Sequence, residues 1–155
     1  MSDDVATNRR AYHNYQILEK IEAGIELKGT EVKSIRAGLV SLSNAFARVE
    51  TSEVYLYDAD IQQYERASHT QHDPKRRRKL LLHKAEIARL FVASAVKGQT
   101  LVALRLYWKK HRVKLELGIG RGKSTVDKRE DLKEKAVRRE TDRAIAAFNK
   151  RISPR

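Results

Sequence analysis

Between Tyr15 and Ile119 apolar residues recur at spacings that predict a run of strands with short helices among them. Tyr15 to Ile21 mixes aromatic, β-branched and charged residues as a half-buried strand does. Gly24 reads as a turn or bulge, and Ile25 to Leu27 resumes the alternation as a second strand. Gly29-Thr30 opens a short helix with Thr30 as its N-cap and Glu31 in its first turn. Val32, Ile35 and Ala37 face inward, and Gly38 is the stop. Ala45 to Val49 and Val54 to Tyr57 are strands joined by the turn at Glu50 to Glu53. Residues 62–79 show no period and form a long polar loop. From Ala85 to Val96, the residues Ile87, Leu90, Phe91 and Ala95 share one helical stripe closed by Gly98. Leu101 to Trp108 and Val113 to Leu117 flank Lys-Lys-His-Arg as a hairpin of long strands, with Val113, Leu115, Leu117 and Ile119 in strict alternation.

This succession predicts a mainly β fold. The expected architecture is an antiparallel oligonucleotide-binding-like barrel over residues 14–121, of about six strands with two or three short helices. Residues 1–13 are polar and are expected to be flexible. Neither a repeat nor a second globular domain is visible. After Arg121 the texture changes. Residues 121–155 hold twelve Lys/Arg against six Asp/Glu, and Leu132, Ala136, Val137, Ala144, Ile145 and Phe148 make only a narrow stripe, broken at Glu140 and Thr141. The tail, 122–155, is expected to be disordered alone and helical once a charged surface receives it.

Charge narrows the partners. The net charge of +13 and pI near 10.1 favour a phosphate backbone. No basic amphipathic helix with a bulky apolar side suggests a membrane surface, and no apolar run approaches the roughly eighteen residues of a spanning helix. The start, MSDDVATNRRAYHNYQ, has two acids and no apolar core, unlike a secretory signal. Without cysteine there is no disulfide framework and no thiolate metal site. A soluble cytoplasmic protein, without metal or cofactor, is expected.

Four sets of residues are candidates for chemistry. Lys75-Arg-Arg-Arg-Lys79 holds five consecutive cations, expected on the surface, and Arg76, Arg78 and Lys79 suit a phosphate clamp. Gly118-Ile-Gly-Arg-Gly-Lys-Ser-Thr125 superficially resembles a phosphate-binding loop. Its spacing is short of the motif and it follows an antiparallel hairpin, so it reads as a flexible exit that brings Arg121 and Lys123 to a phosphate backbone. His69 and His72 lie near the cations as a conceivable acid/base pair, but no third partner is placed, and the residues argue for no enzyme. The aromatics Tyr12, Tyr15, Phe46, Tyr55, Tyr57, Tyr64, Tyr107 and Trp108 should mostly be core, with one or two on the outer face, Phe46 foremost, free to stack on bases.

Asn8-Arg-Arg-Ala-Tyr-His-Asn-Tyr15, Glu22-Ala-Gly24, Gly29-Thr-Glu-Val-Lys-Ser-Ile-Arg36, Asp73-Pro-Lys-Arg-Arg-Arg-Lys-Leu-Leu-Leu82, Leu106-Tyr-Trp-Lys109 and Asp127-Lys-Arg129 follow the order and spacing of the bacterial small protein B family. The resemblance covers about residues 8–140. It implies an oligonucleotide-binding-like barrel that is not an enzyme. It implies an adaptor that binds the tRNA-like domain of transfer-messenger RNA and is delivered with elongation factor Tu to stalled ribosomes for trans-translation. There the tail enters the empty messenger channel and becomes helical. By position, Asn8, Glu22 and Phe46 (commonly Tyr in the family) match the RNA-binding face, and Lys114, Arg121 and Lys123 match its basic positions. Asp127, Lys128 and Arg129 match the tail motif for the decoding centre. Val126 and Val137 depart from relatives that have His and Trp there, so ring stacking at those positions does not carry over. The implied partners are transfer-messenger RNA, the small-subunit decoding centre and messenger channel, and elongation factor Tu, with the protein a monomer. The rival reading is a generic ribosomal or RNA-chaperone protein with an unspecific basic tail.

Overall fold

The structure is a computed structural model, described here for residues 3–63, 72–123, 133 and 135–146. The chain divides into two units, Met1–Gly122 and Lys123–Arg155. The first contains β1 (Asp3–Thr7), α1 (Arg9–Asn14), β2 (Tyr15–Ile25), α2 (Gly29–Arg36), β3 (Val40–Ser41), β4 (Phe46–Glu50), β5 (Glu53–Tyr57), β6 (Asp60–Ile61), β7 (Arg78–Leu81), α3 (Lys84–Ala95), β8 (Gln99–Lys109) and β9 (Arg112–Gly122). Every strand pairing is antiparallel. The main sheet runs β1-β8-β4-β5-β7-β2-β9, and an additional β8–β9 pairing brings β9 back to β8. Six strands, β8-β4-β5-β7-β2-β9, therefore form a closed ring, with β1 added outside β8. This is the expected mainly antiparallel β architecture.

The interior is almost wholly aliphatic. Leu56, Leu80, Leu90, Leu101, Leu106, Leu115 and Leu117 are sealed together, joined by Ile21, Ile35, Ile61 and Val113. Each such side chain contributes roughly 1.5–3 kcal/mol on burial. The alternation from Val113 to Ile119 is inward, as its period of two requires. Both tight hairpins use two-residue turns in the left-handed region, Thr51-Ser52 and Lys110-His111. Their twist matches that of the strands they join, although none of the four residues is glycine.

Several expectations need correction. Gly24 is no turn: β2 runs unbroken through it, and Gly24 pairs with Leu81 on one side and Lys114 on the other. A Cβ there would stand 3.1 Å from that of Leu81, so glycine lets β7 and β9 flank β2 closely. The bulge in β2 falls between Ile17 and Glu19. Helix α2 is capped by Lys28, whose backbone N–H donates to Glu31 Oε1 at 2.7 Å; Thr30 lies inside the first turn. Ala37, the C-cap of α2, faces solvent, and so does Phe91, at 59% exposure, because α3 presses only Leu90 fully into the barrel. The segment expected to be flexible at the N-terminus instead holds β1, paired with β8 from Asp3↔Trp108 to Thr7↔Arg105, and helix α1. Gly118 and Gly120 are buried positions of β9, not a flexible exit; a Cβ on Gly118 would meet Leu104 Cδ1 at 2.7 Å.

In the second unit the described residues 135–146 are helical and exposed. Val137 and Ile145 stand open there, and the Thr141 hydroxyl donates to the Val137 carbonyl at 3.0 Å.

Candidate nucleic-acid interface

The register of three strands assembles a charged face around Glu22. Glu22 pairs with Glu116 across β2–β9, and β8–β9 sets Tyr107 opposite Lys114 and Arg105 opposite Glu116. The Tyr107 hydroxyl donates to Glu22 Oε2, and Lys109 Nζ reaches Oε1 at 3.2 Å and Oε2 at 3.3 Å. The Tyr107 hydrogen bond, working against burial and aided by Lys109 and Lys114, holds the Glu22 carboxyl below its ordinary range. Burial, then Glu22 itself, pushes the Tyr107 hydroxyl up, so it stays a donor. Glu22 is thus a fixed, ionised acceptor on an exposed surface. It lines a groove of about 540 Å³ with Gly24, Leu81, His83, Arg112 and Lys114. A carboxylate accepts from base amino groups or ribose hydroxyls, while the cations meet phosphates.

Leu81, 52% exposed, belongs to this groove and was missed. The signal for it was a period of two in Arg78-Lys-Leu-Leu81, which turns Arg78 and Leu80 inward and Lys79 and Leu81 outward.

That same period overturns the surface reading of the cation run. Arg78 is fully buried. Its guanidinium lies 2.5 Å from Glu31 Oε2 and donates to the Ala59 carbonyl at 2.8 Å. Arg76 donates to Glu31 Oε1 at 2.6 Å. Burial pushes Glu31 up, but hydrogen bonds from Arg76 and the Lys28 backbone, with the Arg78 charge, outweigh it and leave the carboxyl below its ordinary value. Burial is the leading effect on Arg78 and lowers it. Arg78 is therefore a core ion-pair residue that no phosphate can touch. Arg77 pairs with Glu50 at 3.0 Å and Lys79 with Glu53 at 3.6 Å, both on the outer face.

His72 is likewise interior, at 1% exposure. Its Nε2 donates to the Ile61 carbonyl at 2.7 Å, and its Nδ1 sits 2.9 Å from Thr30 Oγ1. It ties α2 to β6 and is no acid/base group. Asn8 is also enclosed: Nδ2 donates to the Ala103 carbonyl at 2.8 Å and Oδ1 caps the Ala11 N–H at 3.1 Å. Asn8 thus fastens α1 to β8, with most of its side chain enclosed.

The aromatic expectation reverses. Of the described rings only Tyr107 is buried; the aliphatic core leaves the others half-exposed or open. Phe46 stacks on Tyr57 with centroids 5.5 Å apart, and Arg48 lies over both rings. Arg77 lies over Tyr55 at 4.0 Å. The outer face of β4 and β5 is a plate of rings and guanidinium groups, suited to stacking on unpaired bases. Arg121 is exposed, donating to Gln16 Oε1 at 2.9 Å, and Lys123 follows β9 directly. Asp127, Lys128, Arg129, Val126, Tyr64 and His69 lie outside the described residues. Among the described residues no group of His, Asp and Glu has metal-holding geometry, and no helix is long and apolar enough to cross a membrane.

The comparisons with known proteins agree with one another. A family model described as SmpB protein matches residues 5–147. The SsrA-binding protein of Carboxydothermus hydrogenoformans is 52% identical over 147 residues, 95% of this chain and 99% of that protein. The SsrA-binding protein of Chloroflexus aurantiacus is 54% identical over 142 residues, 91% of this chain and 89% of its own. A solved structure described as "tmRNA-SmpB: a journey to the center of the bacterial ribosome" superposes with a TM-score of 0.66 at 49% identity, over 81% of this chain and 92% of that one. With nearly its whole length matched by the family model and by relatives about half identical to it, the chain belongs to the SmpB family.

Proposed function

We propose that this chain binds the tRNA-like domain of transfer-messenger RNA through its barrel and brings it to stalled ribosomes for trans-translation. The observation that carries the reading is the Glu22 groove: an oriented carboxylate with Lys114, Arg112 and an open Leu81, on a body similar to proteins named for binding SsrA. Glu22, Lys114, Arg121 and Lys123 meet the RNA, and Phe46 stacks beside them. Asp127, Lys128 and Arg129 engage the decoding centre, and delivery proceeds with elongation factor Tu in the cytoplasm. The protein acts as an adaptor and not as a catalyst; the enclosure of His72 supports this.

Glu22→Ala removes a charged acceptor and should weaken binding by about 1.5–3 kcal/mol, roughly tenfold to a hundredfold. Lys123→Ala should also weaken it. Asp127→Ala/Lys128→Ala should leave RNA affinity unchanged and abolish tagging of the nascent chain. Filter binding and an in vitro tagging assay read the two separately. If the tail substitutions weakened RNA binding as much as Glu22→Ala, the division of labour would fail. Equal affinity for transfer-messenger RNA and a bulk tRNA mixture would instead favour a generic RNA chaperone.

A further inference from the structure

Tyr107 fixes the Glu22 carboxylate, and further side chains fix Tyr107. The Tyr107 ring is 4% exposed, yet it belongs to neither apolar cluster. Its neighbour Leu106 turns into the barrel, so Tyr107 points outward and is covered there by polar side chains. The Arg105 guanidinium lies over the ring, its central carbon 4.2 Å from the centroid. Arg105 is in turn clasped from both neighbouring strands. Asp4 Oδ1 of β1 accepts from one terminal nitrogen at 2.8 Å, and Glu116 Oε2 of β9 accepts from the other at 3.2 Å.

Strand register brings these groups together. Cross-strand partners share a face, and Asp4 pairs with Tyr107, Arg105 with Glu116 and Glu116 with Glu22. Arg105 and Tyr107, two residues apart on β8, lie on that face as well. A polar row thus crosses β1, β8, β9 and β2 and ends at Glu22. Bracketed between two carboxylates, the guanidinium cannot swing off the ring without losing a charge-assisted hydrogen bond. A ring clamped under a cation keeps its hydroxyl on Glu22. Neither Asp4 nor Arg105 lines the Glu22 groove.

We infer that Asp4 and Arg105 are positioning residues for RNA binding, which act through the Tyr107 ring to hold the Glu22 carboxylate in its binding orientation without touching the RNA. The strand added outside the closed ring is thereby coupled to the groove on β2. This relay rests on the role given to Glu22 in the proposed function.

A double-mutant cycle on the full-length protein tests the relay, with filter binding to a transcript of the tRNA-like domain across a salt series. A side chain that must be ordered on binding costs about two- to tenfold in affinity, and Arg105→Gln and Tyr107→Phe should each weaken binding by that much. Asp4→Asn leaves Glu116 as the remaining clasp and should cost about two- to threefold. It alters an exposed position, so it gives the same reading if Arg105→Gln misfolds. In a Glu22→Ala background all three substitutions should have no further effect, because the relay has nothing left to hold. The salt slope should keep its wild-type value throughout the three single variants. Losses that persist beside Glu22→Ala would make these residues general supports of the fold and overturn the relay. A slope lowered by about 0.7–0.9 in Arg105→Gln would make Arg105 a phosphate contact and overturn it too. Wild-type affinity in Arg105→Gln or Tyr107→Phe, with Glu22→Ala still weak, would remove the relay and leave the groove. If Glu22→Ala itself bound as the wild type does, groove and relay would fall together.

Discussion

Glu31 shows how one carboxylate can decide where a run of cations goes. Its two oxygens take Arg76 and Arg78 separately, and Arg78 has no route to water. Replacing Glu31 by Gln would leave a buried guanidinium without its counter-charge, a loss of about 3–5 kcal/mol that urea unfolding should read. The pH dependence follows from the direction of the shift. The folded carboxyl lies below its ordinary value of 4.5, so the unfolded chain takes up the proton first as pH falls. The stabilisation is complete above that value and disappears as pH drops through the lower folded one. The urea midpoint of the wild type should therefore fall more steeply below pH 4.5 than that of Glu31→Gln. None of this was legible in Lys75-Arg-Arg-Arg-Lys79, because cations read as surface and the partner lies 47 residues away. Only the period of two across Arg78 and Leu80 hinted at it.

At the scale of elements, what was legible depended on whether a segment's own period decided its place. The β8–β9 hairpin and α3 stood out because strict alternation and a helical stripe are local properties. The glycines misled because their reason is not local. Gly24 and Gly118 look like breaks, yet each sits inside a strand where a neighbour comes too close for a side chain. Gly118→Ala should accordingly destabilise the barrel by about 1–3 kcal/mol through crowding against Leu104, measured as a lower thermal midpoint. A flexible exit from the barrel at that position would have tolerated alanine. The aromatics misled for a related reason. The main interior is filled by leucine, isoleucine, valine and alanine, with Trp108 only packed against its edge, and the cross-strand partners Phe46 and Tyr57 lie together on the outer face. The interface was half visible: Glu22 and Lys114 were named from the resemblance, whereas Leu81 required the register of β7.

The whole molecule joins a closed ring to a second unit whose described helix, 135–146, keeps its side chains in solvent. Exposed helical amides open readily. Hydrogen exchange over 135–146 should therefore be fast in the free protein and slowed by about tenfold or more on the small ribosomal subunit. Unchanged exchange would remove the expectation that the tail enters the messenger channel. The ring closes only when Tyr15–Gly24 meets Lys114–Gly122, and β1 finds its place only on Arg105–Trp108. Such distant pairings are slow to form and leave strand edges bare until they do. A nascent chain that halts before β9 has left the exit tunnel cannot make a barrel at all, however much of its core is already present. Synthesis of this protein is thus all-or-nothing, and a copy cut short by a broken message would be a substrate for the cell's rescue and degradation machinery and not a weaker member of it.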